Sequence, residues 1–227
     1  MIVTWLGHSC FLLEGGKGPS LLLDPFYEDE VGYGLPPIRA DIVLISHDHM
    51  DHNNALAAGR DAKQISGPGK YNCLGVDILG IESYHDAECG RLRGANTIFC
   101  FALDGIRVCH LGDLGHSLSQ DQVKAIGAVD LLFLPVGGRY TIDAAGANAV
   151  IRQLKPAVSV PMHYQTRSLC FDLDPVDVFL EGKGPTERQE RLFLDKGELS
   201  HAGRPRQDVK VVLLSCPGAE GACRSID

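Results

Sequence analysis

The run His47-Asp48-His49-Met50-Asp51-His52 constrains the fold more than any other part of the chain. It directly follows residues 41–46, an apolar and β-branched stretch that is typical of a buried strand. Three imidazoles and two carboxylates therefore stand where the chain leaves the core for a loop, and sites on α/β scaffolds are usually built at such places. A hydrogen-bonded surface histidine explains one such residue, but not the whole set. The pattern predicts a metal-binding loop at the edge of a sheet.

The donor types in this run narrow the choice of metal. Imidazole and carboxylate without a neighbouring thiolate suit zinc or manganese, and iron(II) less well in this setting. Strand-like stretches elsewhere end on further candidate ligands, which are His85, Asp113 and His163. Strand alternation points Asp48 away from its neighbours, so we expect it to face solvent or to support a ligand.

These residues appear in an order that resembles a known family. Together with Gly7-His8-Ser9, Leu21-Leu22-Leu23-Asp24-Pro25 and Pro161-Met162-His163-Tyr164, they resemble the metallo-β-lactamase superfamily over residues 1–180. The chain is most similar to the branch of bacterial metal-dependent hydrolases that includes L-ascorbate 6-phosphate lactonase. The resemblance implies a single-domain, four-layer αββα sandwich with metals at one edge between two sheets. The alternation of apolar patterns by itself predicts only a mixed α/β domain.

The resemblance also implies which residues hold metal. One ion would be bound by His47, His49 and His85, and a second by Asp51, His52 and His163, with Asp113 bridging the two. Every ligand of the family pattern is present, which argues against a degenerate, metal-free member. Asp24, His8, His116 and Tyr164 are expected to support ligands or to contact substrate, and direct metal ligation by His8 is not expected.

The expected chemistry follows from two adjacent cations. A hydroxide bridging two metal ions can attack a small-metabolite ester, lactone or phosphodiester, with Asp51 and Asp113 as the catalytic carboxylates. The chain has no G-x-S-x-G nucleophile elbow. Two alternatives stay open, namely a phosphodiesterase or nuclease-type hydrolase, and a non-catalytic binding or sensor module stabilised by metal. A redox di-iron relative would be expected to carry Glu in place of His49 and a flavin partner domain.

Composition restricts the partners. The net charge of −8 and the pI near 5.5 disfavour large nucleic acids, so we expect a small-molecule substrate. There is no apolar run long enough for a membrane span and no signal-peptide pattern, which predicts a cytoplasmic protein. The 227 residues, 44% of them hydrophobic, are enough for one core.

The remaining pattern predicts interleaved strands and helices. The predicted strands are 2–6, 10–13, 20–24, 42–46, 64–66, 81–84, 97–103, 106–111, 131–135, 157–161 and 209–214. The predicted helices are 53–58, 119–126, 143–154 and 175–180. Asp104-Gly105 is typical of a type I′ hairpin turn.

Several polar residues and one segment lie outside the predicted metal site. Residues 181–208 are rich in charge, Gly and Pro, and we expect an inserted polar loop that could cover the pocket or mediate self-association into a homo-oligomer. His110 and His201 are expected to be structural or exposed. Exposed side chains that could contact an anionic or polar substrate are Arg91, Arg93, Arg139 and Tyr140.

Overall fold

The computed structural model describes residues 1–184, 186–199 and 209–216. In this part of the chain the strands are β1 (Ile2–Gly7), β2 (Cys10–Glu14), β3 (Leu21–Leu23), β4 (Ile42–Ile45), β5 (Lys63–Ser66), β6 (Gly69–Cys73), β7 (Val76–Tyr84), β8 (Ala95–Leu103), β9 (Ile106–His110), β10 (Leu131–Pro135), β11 (Val158–Met162), β12 (Glu187–Gln189), β13 (Arg191–Phe193) and β14 (Lys210–Leu214). The helices are α1 (Glu28–Val31), α2 (Gln120–Ile126), α3 (Ala144–Leu154), α4 (Val176–Leu180) and α5 (Lys196–Leu199), with a 3₁₀ helix at Ala55–Ala58.

The strands form two sheets. The first sheet has the order β13-β1-β2-β3-β4-β5, and the second has the order β12-β14-β11-β10-β9-β8-β7-β6. Parallel pairing of β3, β4 and β5 in the first sheet matches parallel pairing of β9, β10, β11 and β14 in the second. This mixed α/β architecture with two sheets and few helices agrees with the fold class that the resemblance implies.

Burial on both faces explains why β3 and β4 have no polar positions. Leu23 and Leu44 belong to the main core, which also contains apolar residues of the second sheet. The alternate residues Leu22, Val43 and Ile45 belong to a second cluster on the opposite face. Each such side chain contributes about 1.5–3 kcal/mol relative to an exposed one, so the strand is firmly fixed. β4 consequently delivers the histidine-rich loop to a defined edge of the sheet.

The turn between β8 and β9 has the predicted type. Asp104 has φ 51° and Gly105 has φ 74°, the two positive values that a type I′ turn requires. The strands then pair with Leu103 opposite Ile106. This register fixes the inward positions of β9, including His110 at its end.

The prediction for residues 181–208 was wrong in the described part of that segment. Instead of a continuous polar loop, it contains β12, β13 and α5. β13 pairs with β1 at the edge of the first sheet, and β12 pairs with β14 at the edge of the second. Each strand is only three residues long and begins with a charged residue, so their sequences are too short to show the apolar alternation that identifies a strand.

Other elements were also missed or shortened in the prediction. β6, the first half of β7 and α1 were not predicted, and the helix expected at 53–58 is only a short 3₁₀ helix. His201 lies outside the described residues. No helix in the described ranges is long and apolar enough to cross a membrane.

Candidate metal centre

The seven predicted ligands come from four separate places and meet at one edge of the two sheets. His47, His49, Asp51 and His52 follow β4, whereas His85 follows β7, Asp113 follows β9 and His163 follows β11. Potential donor atoms lie within 4.8 Å of one another in three groups, and the first is His47, His49 and His85. The second is His8, Asp51, His52 and His163, and the third is His47, His52 and Asp113.

Asp113 lies between the two predicted ligand sets. Its Oδ2 is 3.1 Å from His85 Nε2, which belongs to the first set. The same atom is 3.0 Å from His163 Nε2 and 3.4 Å from His52 Nε2, which belong to the second. A single carboxylate therefore faces imidazoles of both sets, as a bridging group must.

Unpaired buried atoms show that the residues fit a cation. His47 Nε2, His52 Nε2 and Asp113 Oδ1 are buried and have no hydrogen-bond partner among the described residues. Buried polar atoms are nearly always satisfied, because an unsatisfied one costs about 1–3 kcal/mol. Lone pairs of imidazole and carboxylate gathered in this way are the donor set that divalent transition metals prefer.

The Nδ1 atoms of three predicted ligands contact other groups of the protein. His47 Nδ1 is 2.9 Å from Ser46 Oγ, His52 Nδ1 is 3.0 Å from Asp24 Oδ2, and His85 Nδ1 is 3.0 Å from the Tyr140 carbonyl oxygen. Each partner can accept a hydrogen bond from Nδ1–H, which leaves the lone pair of Nε2 available to a metal ion. The rings are thus oriented for metal binding by the fold.

Electrostatics divide the histidines into two kinds. Burial lowers the pKa of His47 to about 3 and that of His8 to about 4, so both rings are neutral near pH 7. Burial also opposes protonation of His52, but Asp113 and Asp51 raise its pKa well above the usual value. Burial likewise opposes ionisation of Asp113, yet His163 and His52 hold its pKa well below the usual range. A cation at Asp113 would replace the proton on His52, so metal binding should release protons.

Asp24 lies beneath this cluster. The side chain is fully buried and accepts hydrogen bonds from Ser46 N at 2.7 Å, from Ser46 Oγ at 2.7 Å and from His52. A further contact joins Asp24 Oδ2 to His110 Nε2 at 2.9 Å. His110 was expected to be structural or exposed, and it is fully buried as part of this network. Its inward position on β9, in step with Ile106 and Val108, was the available signal, because an inward imidazole needs a partner.

Three residues of the site adopt a left-handed backbone conformation, which is uncommon for residues other than glycine. His8, Asp24 and His163 have φ of 50°, 42° and 51°. Such values cost of order 1–3 kcal/mol each and cluster at functional sites. His8 Nε2 lies 3.2 Å from Asp51 Oδ2, so His8 is in direct contact with a predicted ligand.

A cavity of about 420 Å³ opens onto the cluster. It is lined by Glu30, Asp48, His49, Met50, Asp51, His85, Arg93, Asp113, Tyr140, His163 and Phe171. Its volume is within the range of small-molecule sites. Asp48 is exposed, as expected, and accepts a hydrogen bond from Asn53 at 2.6 Å.

Three other predicted substrate contacts do not line this cavity. Tyr164 is buried and stacks on Trp5 with ring centroids 5.4 Å apart. His116 Nε2 accepts a hydrogen bond from the Tyr84 backbone at 3.1 Å, so it supports the chain just before His85. Arg139 lies 3.5 Å from Asp172. Their positions favour structural roles.

Comparison with known proteins agrees with this geometry. Residues 2–163 match the family model of the beta-lactamase superfamily domain. A UPF0173 metal-dependent hydrolase from Archaeoglobus fulgidus is 30% identical over 229 residues, covering 87% of this chain and 97% of the relative. A second member, from Thermoplasma acidophilum, is 30% identical over 200 residues, covering 77% and 86%.

A solved structure from Thermotoga maritima, described as a candidate Zn-dependent hydrolase of the metallo-β-lactamase superfamily, is also similar. It is 39% identical, with a TM-score of 0.72, and the match covers 94% of this chain and 97% of that one. The fold, the gathered His and Asp donors and these similarities lead to one assignment. The chain belongs to the metallo-β-lactamase superfamily and, within it, to the UPF0173 metal-dependent hydrolases.

Proposed function

We propose that this chain hydrolyses a small-metabolite ester, lactone or phosphodiester at a dinuclear site that holds zinc or manganese. The observation that carries the proposal is the position of Asp113 between imidazoles of both predicted ligand sets. In this assignment His47, His49 and His85 hold one ion, Asp51, His52 and His163 hold the other, and Asp113 bridges them. When bound, the ions would supply the attacking hydroxide by lowering the pKa of a shared water, and they would polarise the scissile bond.

The protein's own groups provide for proton movement. The side chain of Asp51 is 23% exposed and faces the cavity, whereas that of Asp113 is 1% exposed. Asp51 can therefore exchange protons with a bound substrate. His8 Nε2, 3.2 Å from Asp51 Oδ2, belongs to a neutral ring near pH 7 and can hold a proton at that atom. The His8 Nε2–H therefore holds the Asp51 carboxylate in place, and Asp51 is the group that can carry a proton to the leaving group.

The cavity and the charge of the chain favour a small substrate. Its volume of about 420 Å³ fits a metabolite, and the net charge of −8 disfavours the nuclease alternative. Resemblance to the L-ascorbate 6-phosphate lactonase branch makes lactones the first ester class to test. We keep the cytoplasmic location as part of this proposal.

Metal analysis and a substrate panel test the proposal together. Protein expressed with zinc or manganese should contain about two ions per chain by ICP-MS, and it should hydrolyse a member of a panel of lactones, aryl esters and bis-aryl phosphates. His49→Ala removes an exposed ligand, so it should keep the fold and lose turnover by about 100-fold or more, beyond the loss expected for a supporting residue. Asp61→Ala is the control, because Asp61 is also exposed but does not line the cavity.

The outcomes separate the competing functions. Absence of metal after metal-replete expression would contradict the site assignment. Verified metal with no turnover across the panel would favour a binding or sensor module instead. Equal turnover in His49→Ala and wild type would exclude the mechanism.

A further inference from the structure

The loop between β7 and β8 is organised by Asp86, the residue directly after His85. Its buried carboxylate accepts four backbone hydrogen bonds, from the N–H groups of Glu88 at 2.7 Å, Gly90 at 2.9 Å, Leu92 at 3.0 Å and Arg93 at 2.8 Å. The backbone of His85 also bonds to Gly94 at 3.1 Å, which closes the loop. Four charge-assisted bonds to one side chain fix the loop relative to the adjoining ligand.

This loop presents Arg93 at the mouth of the cavity. The guanidinium carbon lies 4.5 Å from the centroid of the Tyr140 ring. The Tyr140 carbonyl oxygen in turn accepts a hydrogen bond from His85 Nδ1 at 3.0 Å. Arg93 also lines a neighbouring cavity of about 610 Å³, which shares Asp48 and His49 with the first. The guanidinium is therefore held beside the metal cluster without belonging to it.

Arg93 differs from the other arginine of the same loop in its partners. Arg91 forms an ion pair with Glu88 at 2.6 Å, whereas Arg93 forms none with a carboxylate of the described residues. Stacking over an aromatic ring leaves the edge of a guanidinium open for two parallel hydrogen bonds. Among the described residues that line the cavity, Arg93 is the only Arg or Lys.

A row of aromatic rings connects Arg93 to the metal cluster. From Tyr140, beneath Arg93, the next ring is Phe171 at 6.1 Å between centroids. Phe171 then contacts the His8 ring at 5.5 Å, and His8 lies among the candidate ligands. This row gives an apolar surface with a fixed cation at one end and metal donors at the other. A molecule lying along it would place two different groups at the two ends.

We propose that Arg93 is a specificity-determining residue that binds a carboxylate or phosphate group of the substrate, at a distance from the bond that is hydrolysed. The substrate class is accordingly a small ester or lactone that carries a remote anionic group and an apolar middle. This inference rests on the proposed hydrolytic function for the identity of the second group, but the anion subsite itself can be measured by binding alone. Asp86 acts as a positioning residue for this subsite.

Product-like ligands test the subsite without a known substrate. Isothermal titration of the metal-loaded protein is carried out with straight-chain diacids from glutarate to suberate, and with monocarboxylates of equal length. One carboxylate can bind at the metals in both series, so the difference reports the second anion. The hydrogen bond between Arg93 and the second acid group is weakened by solvent, because Arg93 is exposed at the rim of the cavity. We therefore expect the best diacid to bind roughly 10-fold more tightly than the monocarboxylate of equal length. 6-Phosphohexanoate, compared with suberate, in which the two acid groups are separated by an equal number of bonds, shows whether phosphate or carboxylate is preferred.

Two matched variants decide the assignment. Arg93→Gln should abolish the preference for the diacid and leave monoacid binding unchanged, since only the remote contact is lost. Arg91→Gln removes the same charge from the same loop but not from the cavity, so it should retain the preference. Lack of a diacid preference at every length, its persistence in Arg93→Gln, or equal loss in both variants would overturn the subsite.

The result is independent of the hydrolysis panel. Arg93-dependent diacid binding without turnover would support the anion subsite and contradict the hydrolase proposal. Turnover in the panel together with diacid binding that does not depend on Arg93 would support the hydrolase proposal and contradict the anion subsite.

Discussion

Asp24→Asn keeps the shape of a fully buried side chain while removing its charge. Three donors converge on Oδ2 of Asp24, namely Ser46 Oγ, His52 Nδ1 and His110 Nε2, at 2.7–3.0 Å. The Ser46 backbone N–H donates to Oδ1 at 2.7 Å. An asparagine has one amide oxygen and one NH₂ group. In either orientation of the amide, the NH₂ group therefore faces groups that themselves donate hydrogen bonds. The substitution therefore breaks the network without creating a cavity.

The expected loss of stability is large for a single residue. A hydrogen bond to a charged group contributes about 1.5–3 kcal/mol, and removing one partner of a buried ionic network costs about 3–5 kcal/mol. We expect the free energy of unfolding to fall by about 3–5 kcal/mol, out of a typical total of roughly 5–15 kcal/mol. Because His52 also loses its orienting partner, metal affinity should fall about 10- to 100-fold.

The pH dependence of this effect has a defined sign. Burial opposes ionisation of Asp24, but His110 and His52 hold its pKa well below the usual range. A lowered pKa in the folded state means that the stabilisation is present above the unfolded value of about 3.9, and is lost as pH falls toward the folded value. The difference between wild type and Asp24→Asn should therefore shrink only below about pH 4.

Urea unfolding of chelator-treated protein measures the stability term without metal binding. Metal titration of the same samples then gives the affinity. Asp41→Asn is the control, because Asp41 accepts two hydrogen bonds from Ser20 at 2.8 Å but is exposed, so it should cost less than about 1 kcal/mol. If Asp24→Asn unfolds within about 1 kcal/mol of wild type and binds metal equally well, the buried network does not have the role assigned to it.

Two further substitutions test the supports of the site and the fold. Gly115→Ala would place a Cβ only 2.4 Å from the Asp86 backbone nitrogen, so a calorimetric scan should show a lower Tm and titration weaker metal binding. Asp130→Asn should cost about 1–2 kcal/mol in urea unfolding, since Arg107 at 2.7 Å and Lys196 at 2.6 Å lose a charged partner but can be hydrated. Burial opposes ionisation of Asp130, but Arg107 and Lys196 lower its pKa, so the cost should persist above about pH 4 and vanish in acid.

The fold was predictable where burial dictates sequence. β4 is buried on both faces, so it appears as a continuous apolar run, and the loop after it could be placed at a sheet edge. His85, Asp113 and His163 follow β7, β9 and β11, and all three were predicted as ligands from that position together with the family resemblance. The structure brings their donor atoms together with those of the β4 loop.

The missed elements have a common physical cause. β6 lies at the edge of the second sheet, and none of its residues is fully buried, so its sequence carries no core pattern. β12 and β13 are three-residue strands that depend on pairing with distant partners. Long-range backbone pairing of this kind leaves little trace in local sequence. The position of Arg93 was hidden for a similar reason, since it depends on four backbone bonds to Asp86.

The metal cluster and the contact between the sheets depend on the same interactions. Asp24 directly follows β3 of the first sheet, whereas His110 ends β9 of the second, and their hydrogen bond joins the two sheets beneath the cluster. A second link runs from the Thr97 N–H of β8 to the Ser46 carbonyl oxygen after β4, at 2.9 Å. Because Ser46 and Asp24 also orient His47 and His52, a change in sheet packing must move these two predicted ligands. When Asp24, Ser46 or His110 is replaced, a loss of activity can come from altered sheet packing as well as from altered catalysis. The two causes are separated only when the stability of the metal-free variant is measured as well.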